Sequence, residues 1–437
     1  MGQDSLFGIS TEKAYGLLQG KKATLVTVAV IDAGVDTLHE DLQGVLWVNP
    51  KKKPFDNGTY GWSFIGSAKG NVRYDNLELT RQARKDSTLM PLLQVQKRDA
   101  DKGLKSYNNY LNTLNFLVKQ TGRENPTVAD LEAYLPKAGQ NTDLVKFVIQ
   151  ELGKQADFAA LRKEVQRGFD HYKVEAEYHL NTAFDPRNVV GDDYLNSKER
   201  NYGSPDCMGP DAHHGTHVAG IIAAVRGNGL GMDGVADKVR ILAVRAVPDG
   251  DERDKDVANA IRYAADHGAR VINMSFGKDY SQDKKAVDDA VKYALKKDVL
   301  LIQAAGNSNK NIDSTANFPR RVTADEAYIV VGASGLKGEK AGFSNYGKTS
   351  VDVFAPGVQI YSSIPGSKYD YFNGTSMAAP VVAGLAALIR EYYPKLKAMQ
   401  VKDIILKSVV KREALNAYCG TGGIVNAYTA LQLAATY

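Results

Sequence analysis

Apolar positions along the chain follow two rhythms. Residues 23–31 (ATLVTVAVI) are apolar and β-branched, polar only at the threonines, and run straight into Asp32. Such a run predicts a strand buried on both faces, as in a parallel sheet. Comparable runs recur at 239–244, 270–274, 299–304 and 328–331. Between them, helical spacing covers 216–225, 254–267 and 281–297, and a short amphipathic run at 12–18 stops at Gly20. Strands and helices in alternation predict an α/β fold built on a doubly wound, mostly parallel sheet. In such sheets function collects at the carboxyl edge of the strands. Asp32, the Ser275-Phe276-Gly277 turn and the Gly306-Asn307 turn each follow a predicted strand. That edge is the expected place for a site.

Residues 75–205 break the rhythm. The stretch is rich in Lys, Asp, Glu, Gln, Asn and Tyr, with helical spacing at 104–120, 127–134, 142–152 and 158–176. Thr127 with Asp130 has the spacing of a helix-start cap. The expected organisation is one α/β domain made of 1–74 and 206–437, interrupted by a helical insertion at 75–205. Without the insertion roughly 300 residues remain, a fitting size for a single enzyme domain.

Composition narrows the classes. The 437 residues are 43% hydrophobic and 24% charged with a net charge of +5, and opposite charges are interspersed. That balance describes a solvated surface rather than a nucleic-acid footprint. No stretch approaches the roughly 20 apolar residues of a membrane span, and no signal-peptide pattern opens the sequence. Cys207 and Cys419 are too few for a disulfide framework or a thiolate zinc site, leaving two free thiols or one long-range disulfide.

Three segments carry candidate chemistry. Ser376, in Gly374-Thr375-Ser376-Met377-Ala378-Ala379-Pro380, opens a helix of small apolar residues. Unpaired N–H groups and the positive dipole end there favour negative charge beside its hydroxyl. Taken alone, such a serine is equally a helix cap. His213, His214 and His217 cluster ahead of small residues, as a base, as structural histidines or as metal ligands. Asp32 leaves its strand as an orienting carboxylate or as an ordinary turn cap.

Together the segments resemble the subtilisin family of serine proteases, the subtilases. Val30-Ile31-Asp32-Ala33-Gly34-Val35-Asp36 resembles the family's Asp motif, His214-Gly215-Thr216-His217-Val218-Ala219-Gly220 its His motif, and the heptad around Ser376 its Ser motif. The order Asp, His, Ser is that of the subtilisin triad. Val271-Ile272-Asn273-Met274-Ser275-Phe276-Gly277, Ala304-Ala305-Gly306-Asn307 and Phe354-Ala355-Pro356-Gly357 are similar to further family landmarks. The likeness covers about 23–74 and 206–432; 75–205 has no counterpart in compact members.

The resemblance implies a serine endopeptidase with Asp32, His214 and Ser376 as the triad and Asn307 in the oxyanion hole. It implies that Ser275, Phe276 and Gly277 bind extended protein or peptide substrates. Asn317 stands where the family commonly has glycine at the specificity-pocket floor, implying weaker preference for large aromatic P1 residues. Asp41 matches a family calcium ligand, with Asn228 as a second oxygen, although no cofactor is required for the chemistry. The resemblance also implies a secreted, periplasmic or cell-surface location and a pro-segment inhibitor absent from this sequence. The insertion is expected to cover the cleft, recognise a protein substrate, dock another molecule or simply decorate the surface. The rival readings are a non-catalytic binding protein on the same scaffold, which would be expected to have lost a triad residue, and a metallohydrolase.

Overall fold

The computed structural model describes residues 6–51, 56–323 and 325–437. Contacts divide the chain into two compact units, one made of the chain up to Arg73 with Pro186–Tyr437, the other of Tyr74–Asp185.

The larger unit is built on nine strands. They are β1 (Val26–Asp32), β2 (Gly61–Ser63), β3 (Val239–Arg245), β4 (Val271–Met274), β5 (Leu300–Ala304), β6 (Tyr328–Ser334) and β7 (Val353–Pro356), with the short β10 (Val410–Lys411) and β11 (Gly423–Ile424). A separate antiparallel hairpin pairs β8 (Ile360–Ile364) with β9 (Lys368–Phe372). The sheet runs β10-β11-β7-β6-β5-β4-β1-β3-β2, parallel throughout except for the β10–β11 pair. The predicted α/β, mostly parallel fold is the one observed.

The unbroken apolar character of β1 has a direct cause. Val28 and Val30 enter one core with Val218 and Ile222 of α7 (His213–Ala223) and Val382 of α10 (Thr375–Tyr392). Ala29 and Ile31 enter the opposite core with Ile261 of α8 (Asp254–Asp266) and Val291 of α9 (Lys284–Lys296). Both faces are covered, so neither can alternate with polar residues. The chain places β3 on one side of β1 and then crosses to β4 on the other. The carboxyl end of β1, where Asp32 stands, therefore lies at a topological switch point.

The smaller unit is helical: α2 (Glu78–Ala83), α3 (Met90–Thr121), α4 (Val128–Tyr134), α5 (Thr142–Leu152) and α6 (Phe158–Val174), followed by a π-helical turn, Glu175–His179. Leu114, Leu117, Leu131, Val148, Phe158 and Leu161 form its core. Thr127 and Asp130 make the reciprocal capping box their spacing suggests. At its stem the two ends meet: Leu77 N–H donates to the His179 carbonyl at 3.0 Å, and Tyr74 stacks on Tyr178 with centroids 4.3 Å apart. Arg81, 4% exposed, holds Glu78 and Asp75 there.

In and beside the insertion, boundaries differ from the sequence reading. Helix α3 starts at Met90, not 104, because its first half buries only Leu93 and Ala100 and carries almost no apolar signal. Residues 186–205 belong to the larger unit. Read in sequence as part of the helical insertion, they are tied to the larger unit by their charges: Arg187 binds Asp256 at 2.6 Å, and Lys255 reaches Asp192 at 2.5 Å and Glu199 at 2.7 Å. Among the described residues no helix is long and apolar enough to cross a membrane. Cys207 and Cys419 are both free and buried, and burial pushes the Cys207 thiol up to about 12.

Candidate active site

Asp32 is the last residue of β1 and is 2% exposed. Its Oδ1 accepts the Ala33 N–H at 2.8 Å and faces His214 Nδ1 at 2.7 Å. Its Oδ2 is buried without a hydrogen-bond donor among the described residues. His214 stands in the first turn of α7, whose start at His213 is three residues earlier than predicted. Gly215 allows this approach: a β-carbon there would lie 2.1 Å from the Gly34 carbonyl oxygen and 3.0 Å from Asp32 Cβ. Any larger residue would force the helix, and the imidazole with it, away from the carboxylate.

Electrostatics favour the protonated imidazole. Burial works against charging it. The Asp32 charge, the hydrogen bond to it and the more distant Asp211 charge together outweigh burial and hold the His214 pKa above its usual 6.5. With 39% of the side chain exposed, the loss of solvation is incomplete. Neighbouring His217 behaves oppositely. It stacks on Phe372 at 4.2 Å, and its Nε2 meets the carbonyls of Ile360 and Asp370; burial pushes it down to about 4. It stays neutral and structural. His213 is exposed, with Nδ1 3.3 Å from Asp211.

Ser376 is the second residue of α10, directly after the Gly374-Thr375 entry. Its hydroxyl donates to the Ser275 carbonyl at 3.0 Å, and Ser275 Oγ donates back to the Ser376 carbonyl at 2.8 Å. Among the described residues no hydrogen bond joins Ser376 to His214. Serine–base contacts of this kind are often loose until substrate binds. Asn307 has its amide orientation fixed from behind, since Oδ1 accepts both the Thr375 N–H (2.9 Å) and the Thr375 hydroxyl (2.8 Å). Its NH2 therefore points forward. A β-carbon built on Gly374 would lie 3.5 Å from both Asn307 Nδ2 and Ser376 N, so both nitrogens lie beside the helix N-terminus.

A cleft of about 350 Å³ opens beside the Asp32–His214 pair, lined also by Ala33, Val247, Pro248 and Ser275. Beyond Ser275, Phe276 is half-buried and Gly277 exposed. Lys278 and Phe318 exchange backbone hydrogen bonds at 2.9 Å, closing a wall behind Gly277. Asn317 projects into that wall. Its Nδ2 reaches the Ala305 carbonyl at 3.4 Å, and its Oδ1 would lie 3.1 Å from a β-carbon on Gly277.

Sequence reasoning missed three supports. Thr375 orients Asn307, and its place inside the Ser motif was the available signal. Asn345 is 5% exposed, donates to the Ala305 carbonyl and accepts from the N–H groups of Ser308 and Lys310, fixing the loop that carries Asn307. Arg245 ends β3 and is 1% exposed; its Nε donates to the Ala33 carbonyl at 2.7 Å beside Asp32. Only its position at a strand end hinted at this.

The calcium expectation at Asp41 does not fit the donors present. Asp41 Oδ1 accepts the Asn228 Nδ2–H at 2.8 Å, and Tyr369 OH donates to Oδ2 at 3.4 Å. Asn228 thus turns its nitrogen toward Asp41, while its oxygen accepts the Leu230 N–H. Calcium needs six to eight oxygens, and this site offers one carboxylate already engaged. Among the described residues no group of three or more His, Cys, Asp or Glu is arranged to hold a metal ion.

Known proteins share this arrangement of sequence. The profile described as "Subtilase family" matches residues 23–422. A thermophilic serine proteinase from Bacillus sp. (strain AK1) is 44% identical over 225 residues, 50% of this chain and 52% of that protein. Thermitase from Thermoactinomyces vulgaris is 40% identical over 50% of this chain and 75% of its own length. Subtilisin BL from Lederbergia lenta is 36% identical over 50% and 77%. This chain thus spans about half the length of the first relative and about three quarters of the other two. Among solved structures, one titled proteases from Pseudoalteromonas arctica PAMC 21717 covers 99% of this chain and 96% of its own, with TM-score 0.58 and 21% identity, a likeness of fold. With the profile match spanning nearly the whole chain, the protein belongs to the subtilase family.

Proposed function

We propose that this chain hydrolyses peptide bonds through a Ser376–His214–Asp32 triad, with Asn307 Nδ2 and the Ser376 N–H as oxyanion donors. The observation that carries the reading is the 2.7 Å contact of His214 Nδ1 with buried Asp32, set beside a serine at a helix start with paired donors. Ser376 Oγ leaves the Ser275 carbonyl, gives its proton to His214 Nε2 and bonds to the scissile carbonyl carbon. The carbonyl oxygen takes the negative charge between the two donors. Asp32 holds the imidazole tautomer and stabilises the imidazolium. His214 then protonates the leaving amine as the C–N bond breaks, giving an acyl-enzyme. Water, deprotonated by His214, attacks the ester, and Ser376 regains its proton on release of the acid.

Substrate recognition follows from the same elements. The backbone at 275–277 pairs with an extended peptide as an added strand, giving affinity that depends little on sequence. Asn317 shortens the space behind Gly277, so large aromatic P1 side chains are disfavoured. A peptide-library cleavage profile is expected to favour smaller P1 residues, and Asn317→Gly to raise kcat/KM for Phe at P1 about tenfold, the scale of filling or emptying a small hydrophobic volume. A wild-type profile dominated by Phe and Tyr would remove this reading of Asn317. We place the site of action outside the cytoplasm, in keeping with the family, and read Tyr74–Asp185 as a helical insertion module of the catalytic domain.

The pH dependence tests the base directly. His214 must be neutral to accept the serine proton, and its pKa lies above 6.5. Activity is therefore lost as pH falls through that raised value. On a short chromogenic peptide, kcat/KM is expected to rise with pH through a midpoint above 6.5. Asp211→Asn removes one of the charges favouring the imidazolium, so its acidic limb should move to lower pH with the alkaline plateau retained. A limb that stays in place, or moves upward, would contradict the electrostatic assignment.

A further inference from the structure

A well-formed cavity lies away from the cleft. It holds about 550 Å³, within the range of small-molecule sites, and shares no lining residue with the catalytic cleft. Trp62, Phe64, Tyr263 and Tyr293 supply an aromatic lining, and Arg200 and Arg262 the cations.

The lining sets two arginines against two aspartates, but their hydrogen bonds are unevenly met. Arg200 spends Nη1 on the carbonyls of Ser197 and Glu199 and on Asn259 Oδ1, all uncharged acceptors. Arg262 makes no hydrogen bond or ion pair among the described residues. Its Nε is buried without a partner, and its guanidinium lies over Tyr293 at 5.0 Å. The two acids on the lining already accept hydrogen bonds, in part from the lining residues Tyr263 and Tyr293. Asp56 accepts from Asn49, Tyr263 and His267, and Asp266 from Tyr293 and Lys297. Burial, followed by repulsion from Arg262, lowers the Arg200 pKa. A buried guanidinium N–H left unmade is costly, and a planar carboxylate satisfies two such donors at once.

We propose that this cavity is a second ligand site, which takes a carboxylate borne on an aromatic body, with the carboxylate on Arg262 and Arg200 and the ring against Trp62, Phe64 and Tyr293. Two sources share that chemistry: a free aryl-alkyl acid, and the C-terminal aromatic residue of a peptide.

The test is calorimetric titration of the full-length protein with 3-phenylpropanoate and 3-phenylpropanamide, and with acetyl-Ala-Ala-Phe as its free acid and its amide. The acid of at least one pair is expected to bind saturably and its amide at least tenfold more weakly. Binding of the small acid identifies a free ligand, and binding of the peptide acid alone a peptide terminus. Arg262→Leu should weaken the bound acid at least tenfold, with Arg262→Lys intermediate, while kcat/KM on a short chromogenic peptide stays at the wild-type value. That last readout separates this site from the catalytic one. If Arg262→Leu melts early, Arg200→Gln carries the same expectation. Equal binding of acid and amide, no binding of either acid, or full affinity in a folded arginine variant would overturn the proposal.

Discussion

Ser376→Ala is expected to abolish peptidase activity, lowering kcat by about 10⁶-fold, the size of loss known for subtilisin when its serine is removed. The fold should survive. Among the described residues Ser376 Oγ donates to the Ser275 carbonyl alone, a loss of about 1 kcal/mol, or no more than about 3 °C in Tm for a protein of this size. The reciprocal bond from Ser275 Oγ to the Ser376 carbonyl is backbone-directed and remains. Casein digestion and a thermal melt on the same preparation check both halves. Retained turnover by a Ser376→Ala protein free of contaminating protease would remove the assignment.

The second large effect concerns Asn307. Removal of its donor should cost about 10²–10³ in kcat with little change in KM, the range established for the subtilisin oxyanion asparagine rather than one obtained from this chain. Asn307→Ala also strips an acceptor from the Thr375 N–H and hydroxyl, so some stability is lost with it. Asn307→Asp separates the two consequences. The carboxylate keeps the acceptor for Thr375 but offers no donor and brings negative charge to the oxyanion position. Asn307→Asp should therefore melt closer to wild type than Asn307→Ala while losing at least as much activity. A loss of less than tenfold in both variants would place the oxyanion elsewhere.

Much of this arrangement was legible in sequence because its parts are local. Asp32 follows a strand whose two-sided burial forbids polar residues, and Ser376 opens a helix whose small residues pack tightly against the sheet. The motif around His214 includes Gly215, the position where helix and strand loop nearly touch. What escaped detection depends on contacts between distant segments. Arg187 and Lys255 look like solvated charges until Asp192 and Asp256 are brought to them by the fold. Asn345 sits 38 residues beyond Asn307, and nothing in its neighbourhood announces that it fixes that loop. The first half of α3 was missed because a helix exposed on most of its circumference shows little periodicity. At Asp41 the family likeness pointed to a calcium ligand that the surrounding donors do not fit. The direction in which Asn228 turns its amide, invisible in sequence, decides that its partner is a hydrogen-bond donor.

The mechanism rests on His214 making the Ser376 hydroxyl nucleophilic, although in this structure that hydroxyl rests on the Ser275 carbonyl. Reaction with a fluorophosphonate, followed by mass spectrometric mapping of the adduct, reads this activation residue by residue. A single adduct on Ser376 is expected in the wild-type protein, with its rate falling at acidic pH and almost no adduct in His214→Ala. Adduct on another residue, or labelling of Ser376 at an undiminished rate without the imidazole, would contradict the account.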